Sequence, residues 1–191
     1  MKHFKTLILI TTVALLFSAC STKKAQTKKY FRLSVSTPST VNTDIKPITL
    51  VVKRPTALSI LGGRPIVATQ ADDSLVQLSH NFWIESPKVI LQDRIKSWAG
   101  DHWQVVSYQT PSGNGYQILE TRILAFEKKQ NQAVVELEFF LYDENNQLLL
   151  NQQLSATENI TTDNYKAFAQ SISLAIEAVF AQLNIKLDGQ L

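Results

Sequence analysis

The feature that most narrows the possible fold is a helical stripe near the end of the chain. Tyr165, Phe168, Ile172, Ile176, Val179 and Leu183 recur at the spacing of one helix face, with Lys166, Gln170, Ser173 and Glu177 on the opposite side. A helix of this form, expected over Asp163 to about Leu187, must bury its stripe against a second layer. The preceding stretch supplies one. Residues Tyr116 to Glu127, Gln132 to Tyr142 and Leu148 to Thr157 alternate apolar with polar, the period of strands with one buried face. The second and third runs are joined through Asp143-Glu144-Asn145-Asn146. A tight loop between Glu127 and Gln132 sets Arg122 opposite Glu136, placing opposite charges on a face that is solvated or turned to a partner.

The first half adds shorter elements. Tyr30 to Ser36 alternates and reads as a strand; Ser36 to Pro47 carries Pro38, Asn42 and Asp44 and reads as a loop. Ile48 to Lys53 is mostly apolar, as in a central strand. Thr56 to Leu61 reads as a short turn of helix stopped by Gly62-Gly63. Pro65 to Gln70 and Ser74 to Ser79 form a hairpin around Ala71-Asp72-Asp73. Ser86 is placed as an N-cap with Pro87 at the first helical position, where its missing N–H costs nothing. Leu91, Ile95 and Trp98 then give the helix an inward face, and Gly100 ends it. Trp103 to Tyr108 is a further strand, followed by the turn Pro111-Ser112-Gly113-Asn114-Gly115. The expected architecture is α+β, a mixed or largely antiparallel sheet with two main helices packed on one face, in a single domain over residues 30–191.

The N-terminus belongs to no fold. Lys2 and Lys5 precede an apolar run from Leu7 to Phe17, then Ser18-Ala19-Cys20, the three parts of a cleavable secretory signal over residues 1–19. The run is too short to span about 30 Å of hydrocarbon, which takes roughly 20 residues. Phe17-Ser18-Ala19-Cys20 resembles the lipobox of bacterial lipoproteins, in which the cysteine sulfur receives a diacylglyceryl group before cleavage. Cys20 is the only cysteine, so no disulfide forms within a chain. Residues 20–29 read as a lipidated, flexible basic tether with Lys23, Lys24, Lys28 and Lys29. Of the 19 basic residues six lie before Tyr30, leaving 13 against 16 acidic ones, so the domain shows no basic face for nucleic acid.

Catalytic patterns are weak. Beyond the signal the histidines are His80 and His102, without a cysteine partner or metal-binding spacing, and each sits at an element junction. Gly62-Gly63-Arg64 lacks the Lys-Ser/Thr of a phosphate loop and reads as a turn. Glu136 and Glu138 share one strand face without an apolar pocket to separate their acidities, so they read as surface carboxylates. The residues imply no catalytic site, no metal and no cofactor.

From Gly63 the chain runs Gly-Arg-Pro-Ile-Val, an Asp-containing hairpin turn, Trp83-Ile84-Glu85-Ser86-Pro87 and an amphipathic helix, with a later strand from Tyr116 and a last helix opening near Tyr165. This order resembles the ABC-type transport auxiliary lipoproteins, the PqiC-like group. Two positions depart: Thr69 or Gln70 stands where relatives often have a second arginine after the Ile-Val strand, and Phe82 where they often have one before the tryptophan. The resemblance implies a non-enzymatic periplasmic subunit working with an MCE-domain transport protein and its membrane partners in lipid movement between membranes. It marks Arg64, Trp83 and Glu85 as motif positions. Read as residues alone, Trp83 is a core aromatic and Glu85 a charge favouring the helix dipole.

Ser21 follows Cys20, whereas Asp there resembles the inner-membrane retention signal of enterobacterial lipoproteins, so attachment to the outer membrane, facing the periplasm, is expected. Partner contact is expected at Phe140 and Tyr142 on the exposed strand face and at the sheet edges. The alternative is a stand-alone lipid or small-ligand binding lipoprotein, holding an acyl chain between sheet and helices. Self-association into a homo-oligomer stays open.

Overall fold

The computed structural model describes residues 26–34 and 45–188. The signal, Cys20 and most of the tether therefore lie outside the described residues, as does the end of the expected first strand. Among the described residues one nine-stranded sheet is built around a long central strand, β7 (Tyr116–Lys129). On one edge β7 pairs antiparallel with β8 (Gln132–Asp143), which pairs antiparallel with β9 (Leu148–Asn159). On the other edge three short strands follow one another along β7, all parallel to it: β2 (Lys46–Val52), β3 (Thr56–Ala57) and β4 (Pro65–Thr69). Beyond β4 lie β5 (Leu75–Trp83), antiparallel to β4, and β1 (Lys29–Phe31), parallel to β5. Beyond β2 lies β6 (Trp103–Ser107). The sheet therefore forks, because β7 is long enough to pair with separate strands along one edge.

Both helices, α1 (Pro87–Ala99) and α2 (Tyr165–Asp188), cover the same face, and their buried residues join one core. The sheet is mixed, antiparallel along its longest ladders, and the α+β expectation holds. The stripe of α2 is the centre of this core: Phe168, Ile172, Ile176 and Val179 are wholly buried against the inward row Ile123, Leu137 and Phe139. Each such side chain contributes roughly 1.5–3 kcal/mol. The space between sheet and helices is filled there, where the stand-alone alternative would hold an acyl chain. By length and composition α2 could cross a membrane, but here it is the core helix. Asn164 starts it by accepting a hydrogen bond from the Ala167 N–H at 2.9 Å.

Several sequence expectations change. The first strand stops at Phe31, and the Ser34 N–H donates to the Ser173 hydroxyl of α2, so the chain has left the sheet by then. Thr56 and Ala57, expected in a turn of helix, instead pair with Arg122 and Ile123, and the turn begins after them at Leu58, whose carbonyl accepts from Leu61. Ser86 occupies the N-cap with extended dihedrals but makes no side-chain capping bond. Gly100 ends α1 in the right-handed region (φ −60°), so the stop needs no left-handed glycine. Arg122 faces Glu138, not Glu136, at 3.6 Å. The hairpin closes two residues later, at Lys129 and Gln132 with Gln130 at φ 53°, and a bulge between Ile123 and Ala125 shifts the rest.

Candidate functional site

The motif positions gather at one corner, where β1, β5 and the turn before β4 meet. Arg64 and Trp83 clasp each other through the backbone: the Trp83 N–H donates to the Arg64 carbonyl at 2.8 Å, and Arg64 Nε donates to the Trp83 carbonyl at 3.3 Å. The Trp83 side chain points to the helices and is 1% exposed. Its ring lies 5.4 Å from Phe126, edge-on, and 5.6 Å from Phe168, so it joins β5, β7 and α2 in one aromatic knot. Trp83 is a core residue with no surface to offer a partner. Glu85 is exposed just past the end of β5.

The other side of this edge carries a second aromatic pair. Phe31 and Trp83 turn toward the helices, so the alternation of a strand turns Tyr30 and Phe82 the opposite way. Their rings lie 5.6 Å apart. Arg64 sits over Tyr30 at 5.2 Å and Lys28 over Phe82 at 5.4 Å, two cation–π contacts on neighbouring rings. The sequence did not group these four residues, because β1 and β5 are separated by more than forty positions and only strand pairing joins them. A basic–aromatic run at Lys28-Lys29-Tyr30-Phe31-Arg32 was the one available signal.

Phe140 and Tyr142 belong to a different place. They lie on the β8 face away from the helices, half-buried, with Phe140 opposite Glu120 and Asn151, and Tyr142 opposite Ile118 and Leu148. Six positions of β7 separate Glu120 from Phe126, about 20 Å along the strand at ~3.3 Å per residue. Arg64 and Trp83 are therefore not brought together with Phe140 and Tyr142. Glu138 pairs with Arg122, and Glu136 accepts a hydrogen bond from Gln153, both on this outer face.

The described histidines, His80 and His102, lie in different settings. His102 packs between Trp98 and Trp103, with ring centroids at 5.1 and 6.1 Å. Burial holds its pKa below the usual imidazole range, opposed by the carboxylates of Asp101 and Asp188. His80 lies on β5, with its Nδ1 buried and without a hydrogen-bond partner. Among the described residues no group of three or more His, Cys, Asp or Glu side chains is placed to hold a metal ion. A groove of about 450 Å³ runs along one flank of α2 beside Ser34, Asn159 and Arg94 of α1, which pairs with Glu177 at 3.1 Å.

The model of the ABC-type transport auxiliary lipoprotein component family matches residues 31–184. The chain belongs to that family. The match runs from β1 to the last turns of α2, so it takes in both the Trp83 corner and the Phe140 face. Among solved structures, the fold is similar to that of protein XCC0632 from Xanthomonas campestris, assigned to the DUF330 family, with a TM-score of 0.72 at 15% identity over 85% of this chain and all of that one. It is also similar to a crystal structure titled only as an uncharacterized protein, with a TM-score of 0.69 at 19% identity over 84% of this chain and 99% of the other. At such identities the likeness speaks to the fold. A search of curated proteins found no significant match.

Proposed function

We propose that this family member is a non-enzymatic, lipid-anchored subunit of an MCE/ABC-type intermembrane lipid transport system, held at the outer membrane through acylated Cys20 and facing the periplasm. The observation that carries the reading is the family match over residues 31–184, with the lipobox-like Phe17-Ser18-Ala19-Cys20 ending eleven positions before it. The family supplies the transport system; the lipobox supplies the anchor; Ser21 in place of Asp favours the outer membrane.

In this reading the domain is a docking piece. We assign the contact with the MCE-domain protein to the outer sheet face around Phe140 and Tyr142, whose half-buried side chains lie on the side of β8 away from the helices. A nine-residue flexible tether typically spans only about 15–18 Å, so docking occurs close to the bilayer.

The test is a strain carrying Cys20→Ala beside one carrying Phe140→Asp and Tyr142→Asp, with co-purification from membranes. The Cys20 variant should lose the outer-membrane barrier, and the face variant should release the MCE-domain protein while remaining folded and acylated. A normal barrier in the Cys20→Ala strain would refute the anchored role. Undiminished co-purification of the face variant would refute the assigned contact surface.

A further inference from the structure

The corner formed by β1, the end of β5 and the turn before β4 presents basic and apolar side chains together, close in sequence to the cysteine that the preceding section assigns to the membrane. Tyr30 is 50% exposed and Ile84 36% exposed at this corner. The Ile84 N–H donates to the Phe31 carbonyl at 2.9 Å, which fixes Ile84 beside β1. Lys28, Lys29 and Arg32 flank the tyrosine and are all exposed. Arg64 reaches over its ring, and Lys88 of α1 lies against the glycine turn two residues before Arg64, with its Cε 3.1 Å from where a Gly62 Cβ would stand. Against these five basic groups the segment around Ile84 adds the single carboxylate of Glu85. The remainder of the domain is net acidic, so the positive charge is local.

We propose that this corner is a contact face for an anionic lipid surface, seating the domain on the bilayer that holds its acyl chains. The proposal rests on the anchored reading of Cys20. Chain length argues for the occupant: from Cys20 to Lys29 is nine residues, which reach at most about 32 Å when fully extended at ~3.3–3.6 Å each. Whatever path they take, β1 stays within that distance of the head groups. Charge argues for the same occupant, since clustered Lys and Arg near a bilayer are drawn to anionic lipid, and a tyrosine with a neighbouring aliphatic residue suits the interfacial layer. The cation–π contacts of Arg64 and Lys28 hold two of the charges in fixed positions on the aromatic pair, so the face is already formed before it meets the membrane.

The experiment uses the mature protein as isolated from cell membranes, in vesicles of phosphatidylethanolamine with or without a quarter phosphatidylglycerol, read by hydrogen exchange. Backbone exchange over residues 26–34 and 84–88 should slow several-fold in the anionic vesicles relative to the neutral ones. The difference should vanish in 1 M salt, where the Debye length is about 3 Å. A Lys29→Glu/Arg32→Glu variant, which spares the Arg64 and Lys28 contacts, should lose the difference while keeping its unfolding midpoint. Equal exchange in the two vesicles, with protein inserted in both, would overturn the contact face and leave the anchor standing. Protein that fails to enter either vesicle and shows an unmodified Cys20 by intact mass would overturn the anchored reading and this proposal with it.

Discussion

Replacing Trp83 by alanine separates a core role from a contact role at the motif. The ring is 1% exposed and makes two aromatic contacts, with Phe126 and Phe168. An aromatic side chain buries about 150–250 Å², which at ~25 cal/mol per Å² amounts to about 4–6 kcal/mol of transfer free energy. Measured losses for Trp or Phe to Ala cluster at about 3–5 kcal/mol because the cavity relaxes only in part. An expected loss of about 4 kcal/mol is a large fraction of the ~5–15 kcal/mol that holds a typical domain together. For a chain of this size it lowers Tm by roughly 8–16 °C, taking about 2–4 °C per kcal/mol. Urea unfolding of the purified protein, followed by far-UV circular dichroism, measures the loss. Glu85→Ala is the control: exposed beside the same motif, it should change stability by less than about 0.5 kcal/mol. A Trp83→Ala protein within about 1 kcal/mol of wild type would refute the core assignment and reopen Trp83 as a contact residue.

Other expectations follow from single groups. Thr121 is 3% exposed with an Oγ1 that has no hydrogen-bond partner, so the nearly isosteric Thr121→Val should stabilise by about 1 kcal/mol, seen as a higher urea midpoint; a lower midpoint would mean the hydroxyl is satisfied. Asn164→Ala removes the cap of α2 and should cost about 1 kcal/mol, whereas Asn164→Asp or Ser should recover most of it in thermal unfolding. Burial, the main cause, sets the folded-state pKa of His102 below its unfolded value, so on acidification the unfolded chain takes up the proton first. Stability should therefore be flat above neutral pH and fall as pH drops through about 6.5 toward the lower folded value. His102→Gln should lessen that slope in urea titrations between pH 5 and 8, and an unchanged slope would assign the pH dependence elsewhere. Arg122 is exposed in its 3.6 Å contact with the half-buried Glu138, so a double-mutant cycle should return at most about 1 kcal/mol.

The residues by themselves determined the parts of this molecule whose reasons are local. The period of the α2 stripe, the alternation of β7, β8 and β9, and Pro87 after Ser86 each follow from side-chain geometry within one element, and those elements stand within a few residues of where the sequence places them.

Tertiary structure decided what depends on pairing between distant segments. Thr56 and Ala57 became a strand because β7 offered an unpaired edge there, a fact no local propensity contains. The Arg122 partner changed from Glu136 to Glu138 because a bulge and a hairpin closing two residues later move the register, and register is set by the whole ladder. Trp83 turned inward and Phe82 outward along β5, the β1–β5 pairing set Tyr30 beside Phe82, and the Arg64–Trp83 backbone contact completed the corner, so that Lys28 and Arg64 came onto one surface. Local chemistry specifies the long elements; the short strand at Thr56–Ala57, and which faces the elements present to one another, and so which side chains remain for a partner or a membrane, are settled only when the long-range contacts are made.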